Sequence, residues 1–510
     1  MLEYVFCSRY LSKGYGMKQR EWKLIVIMMG VVCLVAGAVT AAESSDGKTR
    51  LEATAAVQPG AAKTSSLSEA FHNPASWLEM GLDLRFREHY GYNWTGLDDD
   101  KVDTKGNDDA DFHFERYRTR WWTKIKADDK TAINTRFTWE FRTYDEPESK
   151  DQHTDFDEII MDNLNLAMQN FLGMPATAII GRQDILLGQG WLVIDGTPLE
   201  GSRTFYYDAA RFTVDASEKT KLDLIYINQH PNSDWWLKPI NDRDKYVTQE
   251  QEQGGILYLT DKSFGSTQLE GYFMYKNNNP VDGPALNFPS ANISKFSKKA
   301  EIYTLGGASS APIWGDWNYR VEGAVQTGES ASPNSALTAN DETESVRAFG
   351  GKGNLEYSFK DTLDNKVHVI YEYFSGDDPH TSRVESFNPL WGQWPQWSEL
   401  YQPYVTQLED NLISNMHRVA LGHKMKPNAQ WEILTDYHLL WADENTYKGN
   451  VKFTDNGSFR GQLITCWARY NFTKQLKGNL VGEYFMPGDY YARANRDDAL
   501  YFHFTVEYMF

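Results

Sequence analysis

From about Trp77 to the C-terminus, large apolar and polar side chains alternate with a period of two. In 131–144, Ile133, Phe137, Trp139 and Phe141 occupy odd positions, while Asn134, Arg136, Thr138, Glu140 and Arg142 occupy even ones. Successive side chains of a β-strand point to opposite faces, so this pattern predicts a strand with one apolar and one polar face. The pattern recurs where Leu82, Leu84 and Phe86 oppose Asp83, Arg85 and Arg87. It recurs again where Trp317, Tyr319, Val321 and Val325 oppose Asn318, Arg320, Glu322 and Gln326. Trp431, Ile433, Tyr437, Leu439 and Trp441 oppose Gln430, Glu432, Asp436 and His438 in the same way. Strands of soluble sandwiches usually run about 5–6 residues. Many of these segments continue for about ten or more, the length of a tilted membrane-crossing strand.

The breaks between strands carry a second regularity. Tight connections are predicted at Ala127–Lys130, Leu172–Pro175, Ser217–Lys219, Ser263–Gly265, Lys360–Leu363, Lys426–Asn428 and Thr473–Gln475, with a slightly longer one near Pro312. Between them lie long polar stretches at 92–111, 145–157, 186–208, 230–252, 277–298, 328–343, 376–412, 443–459 and 487–498. Short periplasmic turns alternating with long external loops are the pattern of an outer-membrane barrel. The expected fold is all-β: a single antiparallel transmembrane β-barrel over 77–510 with about eighteen strands, both termini on the periplasmic side. The last segment, Leu500–Phe510, alternates and ends on Phe, which resembles the C-terminal signal read by the outer-membrane assembly machinery.

Composition agrees with this reading. A 510-residue chain with 24% charged residues and a mean hydropathy of −0.58 lacks the several apolar stretches of about 20 residues that a helical multi-span protein needs. Aromatic residues reach 14%, with 17 Trp, 29 Tyr and 26 Phe, which argues against disorder. In a barrel these rings supply the lipid-facing band and the belts at the two interfaces.

Met17 opens an export signal. Lys18, Arg20 and Lys23 form its positive region, Leu24 to Val35 its apolar region, and small residues follow up to a cleavage site near Ala41 or Ala42. Residues 1–42 thus read as an upstream extension plus signal peptide, and 43–76, rich in Ala, Ser and Thr, as a periplasmic lead-in. Cys33 follows Val31-Val32, not the small residue that lipoprotein processing wants. With the signal removed, Cys466 stands alone, so no intramolecular disulfide, CxxC metal site or CxxCH haem site is expected.

The formal net charge of −19, from 51 basic and 70 acidic residues, argues against nucleic acid as a partner. Its distribution is uneven. Residues 112–144 hold 8 basic and 4 acidic residues, whereas 92–111 hold 7 acidic and 2 basic. Arg116, Arg118, Arg120, Lys124 and Lys126 share one face of a single strand; Arg136 and Arg142, with Glu140 between them, share a face of the next, and Arg85 and Arg87 one of the first. Arg320 takes the polar face of a later strand. Two readings stand for such residues: bracing of the wall by Arg–Glu ladders, or a track of planar donors that bind carboxylates bidentately and pass them along.

Other constellations add less. Trp391, Trp394 and Trp397 lie within one long loop, where rings can stack on sugar faces or pack on the loop itself as it dips into the lumen. The acidic run from Asp98 to Asp111 lacks the spacing and central Gly of an EF-hand, and reads as a solvated loop. No G-x-S-x-G, H-E-x-x-H or Walker loop occurs, Gly350-Gly-Lys-Gly353 falls within an alternating strand, and the 11 His are scattered. Neither catalysis nor a cofactor or metal is expected.

Four short motifs occur in order: Ile180-Gly-Arg-Gln183, Arg203-Thr-Phe-Tyr-Tyr-Asp-Ala-Ala-Arg211, Tyr437-His-Leu-Leu-Trp441 and Tyr484-Phe-Met-Pro-Gly-Asp-Tyr490. By these residues the chain resembles the alginate export family of outer-membrane barrels. The resemblance implies an eighteen-stranded monomeric barrel whose arginine-rich constriction passes a polyuronate, with loops and a periplasmic turn able to occlude it. It places Arg182 and Asp489 at the lumen or rim; Arg203 and Arg211 fall within its second motif without so definite a place. Gly461-Gln-Leu-Ile464 is neutral where the exporter carries an acidic pair. The expectation is an outer-membrane channel for an anionic solute such as an alginate-like polysaccharide, embedded in lipid and lipopolysaccharide and served by a periplasmic delivery partner. A general or oligosaccharide porin working in uptake, and a barrel sheathing a partner protein, are the alternatives.

Overall fold

A computed structural model describes residues 67–94, 96–98, 100, 110–147, 159–194, 206–230, 236–237, 240, 251–279, 299–331, 343–392, 395–401 and 413–510. The export signal, most of the lead-in, Arg203 and Trp394 lie outside these residues.

A short helix, α1 (Leu67–His72), leads into β1 (Leu78–Tyr92). The first half of the wall continues with β2 (Phe112–Lys126), β3 (Thr131–Glu146), β4 (Ile159–Gln169), β5 (Ala176–Gln183), β6 (Tyr207–Asp215), β7 (Thr220–Gln229), β8 (Gln251–Phe264) and β9 (Thr267–Asn279). The second half holds β10 (Ala300–Pro312), β11 (Trp317–Ser330), β12 (Glu344–Ser358), β13 (Lys366–Phe374), β15 (Met416–Met425), β16 (Trp431–Trp441), β17 (Phe459–Asn471), β18 (Leu476–Pro487) and β19 (Ala499–Met509). Between β13 and β15 the two-residue β14 (Arg383–Val384) lies parallel to β12 and adds no wall strand. Every wall strand pairs antiparallel with its sequence neighbour, and β1 pairs with both β2 and β19, so eighteen strands close into a barrel. Closure removes the unpaired sheet edges that a membrane cannot satisfy.

The turns explain the register. Eight connections on one side span two to seven residues, and they fall where the sequence pattern predicts them. Several are closed by a side chain that accepts backbone N–H groups. Asp128 takes those of Lys130 and Thr131 at 2.7 and 2.8 Å, and Asp361 those of Leu363 and Asn365 at 3.1 and 2.9 Å. Asn428 and Thr473 do the same for the turns leaving β15 and β17. Such side chains imitate a backbone turn and fix its length. Backbone N–H donors, first those of Lys130 and of Asn365, hold the carboxyls of Asp128 and Asp361 below their usual range. The family resemblance implies a periplasmic turn able to occlude the pore; here none of the eight turns is longer than seven residues.

Side-chain parity follows the prediction. Trp121, Leu224, Phe273, Leu305, Val325 and Leu421 are exposed on the outer surface, as a lipid-facing band requires. The buried core lies on the other side, inside the barrel. There, residues from two long loops, including Trp191, Leu192, Val193, Phe387, Leu390, Trp391, Leu400 and Tyr401, pack with Ile225, Met274, Val346, Phe374 and Phe485 of the wall.

Candidate functional site in the barrel lumen

The antiparallel register of β1 on β2 sets arginines directly opposite one another. Arg85 faces Arg118 and Arg87 faces Arg116, while Asp83 faces Arg120. Like charges in directly opposed positions destabilise a sheet, so local pairing alone does not explain this ladder. Carboxylates offset it in part. Glu140 on β3 accepts from Arg116 Nε at 2.8 Å and lies 3.5 Å from Arg85, and Glu507 on β19 accepts from Arg118 at 2.8 Å. Three guanidinium nitrogens, Nη2 of Arg116 and Nε and Nη1 of Arg118, are buried with no acceptor among the described residues. Arg142 sits above them at the exposed end of the row, its guanidinium 5.6 Å from the Phe114 ring.

Four further arginines singled out in the sequence are braced. Arg136 gives Nε to Asp162 at 2.7 Å and a two-pronged contact at 2.7 and 2.8 Å to Asp184, which opens the loop after β5. Arg182 holds Asp208 through Nε at 2.9 Å and Nη2 at 3.2 Å, with its guanidinium 3.8 Å from the Tyr206 ring. Arg211 holds Asp223 at 2.8 Å. Arg320 makes a two-pronged contact with Glu270, both arms at 2.8 Å, and a third with Glu322 at 2.9 Å. Asp489 is an exposed rim residue whose carboxylate accepts the Phe459 N–H at 3.0 Å. Of the charged positions read from the sequence, the structure gathers Arg85, Arg87, Arg116, Arg118, Arg120, Glu140 and, opposite Arg116, Arg142 into one patch; Arg136, Arg182, Arg320 and Asp489 stand elsewhere, and Arg203 lies outside the described residues.

The aromatic loop enters the lumen. Trp391 is buried against Gly254 of β8, where a Cβ would meet its ring at 2.5 Å, and Lys276 Nζ lies 5.2 Å from the same ring. The backbone N–H of Trp391 donates to Leu192 O at 3.0 Å, and Val193 bridges to it, so the loops after β5 and β13 meet there. Trp397 lies between the Arg418 guanidinium at 4.7 Å and the His438 ring at 5.1 Å. Neither indole presents a free face to a sugar in this conformation; the loop packs inside the barrel, the other reading the sequence leaves open.

Several lumen residues escape sequence reading. Lys276 pairs with Glu252 at 2.8 Å, and Arg418 with Glu372 at 2.9 Å. His89 and His503 hold the Tyr501 hydroxyl between their Nδ1 atoms at 2.7 and 3.0 Å. Glu483 on β18 and Arg460 on β17 are fully buried. Inward parity was a usable signal for all of them except Arg460, which sits beside the irregular Gly461 (φ +139°).

A closed eighteen-stranded antiparallel barrel with short turns on one side, an apolar exterior and a charged lumen narrowed by inserted loops is the architecture of an outer-membrane channel of the porin class. The solved structures it resembles are such barrels. OpdQ from Pseudomonas aeruginosa matches with a TM-score of 0.51 at 11% identity, over 85% of this chain and 97% of that one. A BenF-like porin from Pseudomonas fluorescens Pf-5 matches with a TM-score of 0.50 at 10% identity, over 85% and 99%. OccK2 (OpdF) from Pseudomonas aeruginosa, in complex with glucuronate, matches with a TM-score of 0.50 at 11% identity, over 84% and 97%. Among curated proteins no sequence relative matches significantly. The family model described as alginate export matches residues 76–503, and the chain belongs to that family.

Proposed function

We propose that this outer-membrane channel passes an anionic solute, most concretely an alginate-like acidic polysaccharide on its way out of the cell, along the arginine face of β1 and β2. The observation that carries the reading is the opposed pairs Arg85–Arg118 and Arg87–Arg116, with donors of Arg116 and Arg118 left over after Glu140 and Glu507 are counted. A sheet that sets like charges opposite each other gains stability when an anion enters between them, and the planar guanidinium fork matches a carboxylate. Backbone positions two residues apart on a strand are about 6.6–6.8 Å apart, which sets successive arginines within reach of a carboxylate passing from one to the next. The barrel works as a monomer without a cofactor, and flux follows the solute's gradient or a periplasmic delivery partner.

Planar-bilayer recording tests this. The expected result is an anion-selective current that added polyuronate blocks. A cation-selective current that polyuronate leaves unchanged overturns the reading.

A further inference from the structure

The arginine face has a neighbour of a different kind. Because β1 closes on β19, the lumen side of β1 continues directly onto that of β19 and β18. Arg87 stands opposite Thr505, whose hydroxyl accepts from its Nε at 2.9 Å, and Thr505 stands opposite Asn479 of β18. Two residues nearer the long loops, His89 stands opposite His503. Where β1 and β2 carry guanidiniums, this strip carries amide, hydroxyl and imidazole groups.

Asn479, His89 and His503 are each more than nine-tenths buried, as deeply as Arg116 and Arg118. Among the described residues, Oδ1 and Nδ2 of Asn479 and Nε2 of both histidines have no hydrogen-bond partner. Asn479 thus leaves both an acceptor and donors unmet. The histidines do the same jointly. Their Nδ1 atoms hold the Tyr501 hydroxyl at 2.7 and 3.0 Å. That hydroxyl has one hydrogen, so it donates to one ring and accepts from the other. With both rings neutral, one Nε2 then carries a hydrogen and the other a lone pair. The carboxylates flanking the strip are met, Glu507 by Arg118 and Glu483 by Ser398 and the backbone N–H groups of Glu399 and Leu400. The shortage therefore falls on groups that donate and accept. Unmet polar atoms are costly in a wall that need only brace itself, and an apolar side chain such as Val481, two residues along β18, avoids that cost.

The mixture of unmet atoms selects a class of ligand. A carboxylate only accepts, which suits the donors of Arg116 and Arg118 but not the Asn479 Oδ1 or the bare imidazole nitrogen. A hydroxyl donates as well as accepts, and satisfies either kind. We propose that Asn479, His89 and His503 read the hydroxyl groups of the solute while the arginines of β1 and β2 hold its carboxylates. The channel then discriminates hydroxylated polyanions, the chemistry of sugar acids, from polyanions that offer charge alone. Such discrimination rests on the anion path proposed above, and adds to it residues that net charge cannot reveal.

The test challenges the full-length protein, in planar bilayers with potassium chloride carrying the current, with an oligouronate and with a polyacrylate of equal charge number. Both polymers bear carboxylates, and the oligouronate alone bears hydroxyls. The unaltered channel is expected to be half-blocked at about tenfold lower concentration of the oligouronate. Asn479→Leu and His503→Phe should each weaken oligouronate block by about three- to tenfold, while polyacrylate block and anion selectivity stay as they are. Retained mobility on an unboiled gel shows that each barrel has formed. Asn479→Leu should also leave the denaturant midpoint in liposomes unchanged or higher, because the amide it removes has no partner to lose. Equal half-blocking concentrations in the unaltered channel, or variants that weaken both blocks alike, overturn the hydroxyl-reading strip and leave the anion path standing; the unmet atoms then hold water only. A lowered midpoint for Asn479→Leu with oligouronate block intact makes Asn479 a brace and overturns its role as well. Block by neither polymer removes the anion path itself, and the strip's role with it.

Discussion

Two faces of the same lumen use charge in opposite ways. On β9–β11, Arg320 meets Glu270 and Glu322, and on β8–β9 Lys276 meets Glu252, so cations and carboxylates match. On β1–β2, five arginines stand within two neighbouring strands; Asp83 faces Arg120, Glu140 meets Arg85 and Arg116, and Glu507 meets Arg118. The first face is a brace. It lends rigidity and leaves little charge for a solute. The second keeps a surplus that costs stability in a sheet, which is how a binding face differs from a structural one.

The sharpest way to break this contrast is to reverse charge on each face. Changing Arg116, Arg118 and Arg120 together to Glu is expected to turn the zero-current potential in a salt gradient from anion to cation preference. If the sign stays, those arginines do not line the conduction path. Arg320→Met should leave selectivity alone and instead lower barrel stability by about 3–5 kcal/mol, because Glu270 and Glu322 lose a buried partner. Denaturant unfolding in liposomes reads that loss, and an unchanged midpoint would remove the distinction between the faces.

Gly254 offers an intermediate effect. A methyl group there meets the Trp391 ring at 2.5 Å, so Gly254→Ala is expected to destabilise by about 1–3 kcal/mol and to red-shift tryptophan emission, a shift that disappears when Trp391 is also replaced by Phe. Arg85→Gln, on the surplus face, should change stability by less than about 1 kcal/mol, since relief of the Arg85–Arg118 opposition offsets the lost contact to Glu140, while polyuronate block weakens. A large loss of stability in that variant would make the arginine ladder a brace after all.

The smallest effect belongs to the turns. Asp361 has its carboxyl held below the usual range by backbone N–H donors, so its contribution is present above the carboxyl range and is lost as the pH falls through it. Asp361→Asn is expected to flatten the acid limb of the unfolding rate without moving conductance.

Much of this was legible in the residues. Period-two alternation located the wall strands because one face meets lipid and the other does not, and short turns rich in Asp, Asn, Ser and Thr punctuated them. Parity also put Arg85, Arg87, Arg116, Arg118 and Arg120 on one side of the wall. Parity fails where backbone geometry departs from a regular strand. At Gly461 an added Cβ would meet Met486 O at 2.3 Å, and Arg460 next to it turns fully inward.

By itself, then, the sequence determined the barrel, the turn side and the basic face of β1 and β2, all of which follow from spacing within one strand or between neighbours. The tertiary structure decided which arginines are braced, because Asp184, Glu270 and Glu372 reach their partners only through register or loop insertion. It also decided the fate of the tryptophan loop. Whether Trp391 and Trp397 face water or a wall depends on Gly254, Arg418 and His438, residues far away in the chain that only closure of the barrel brings together.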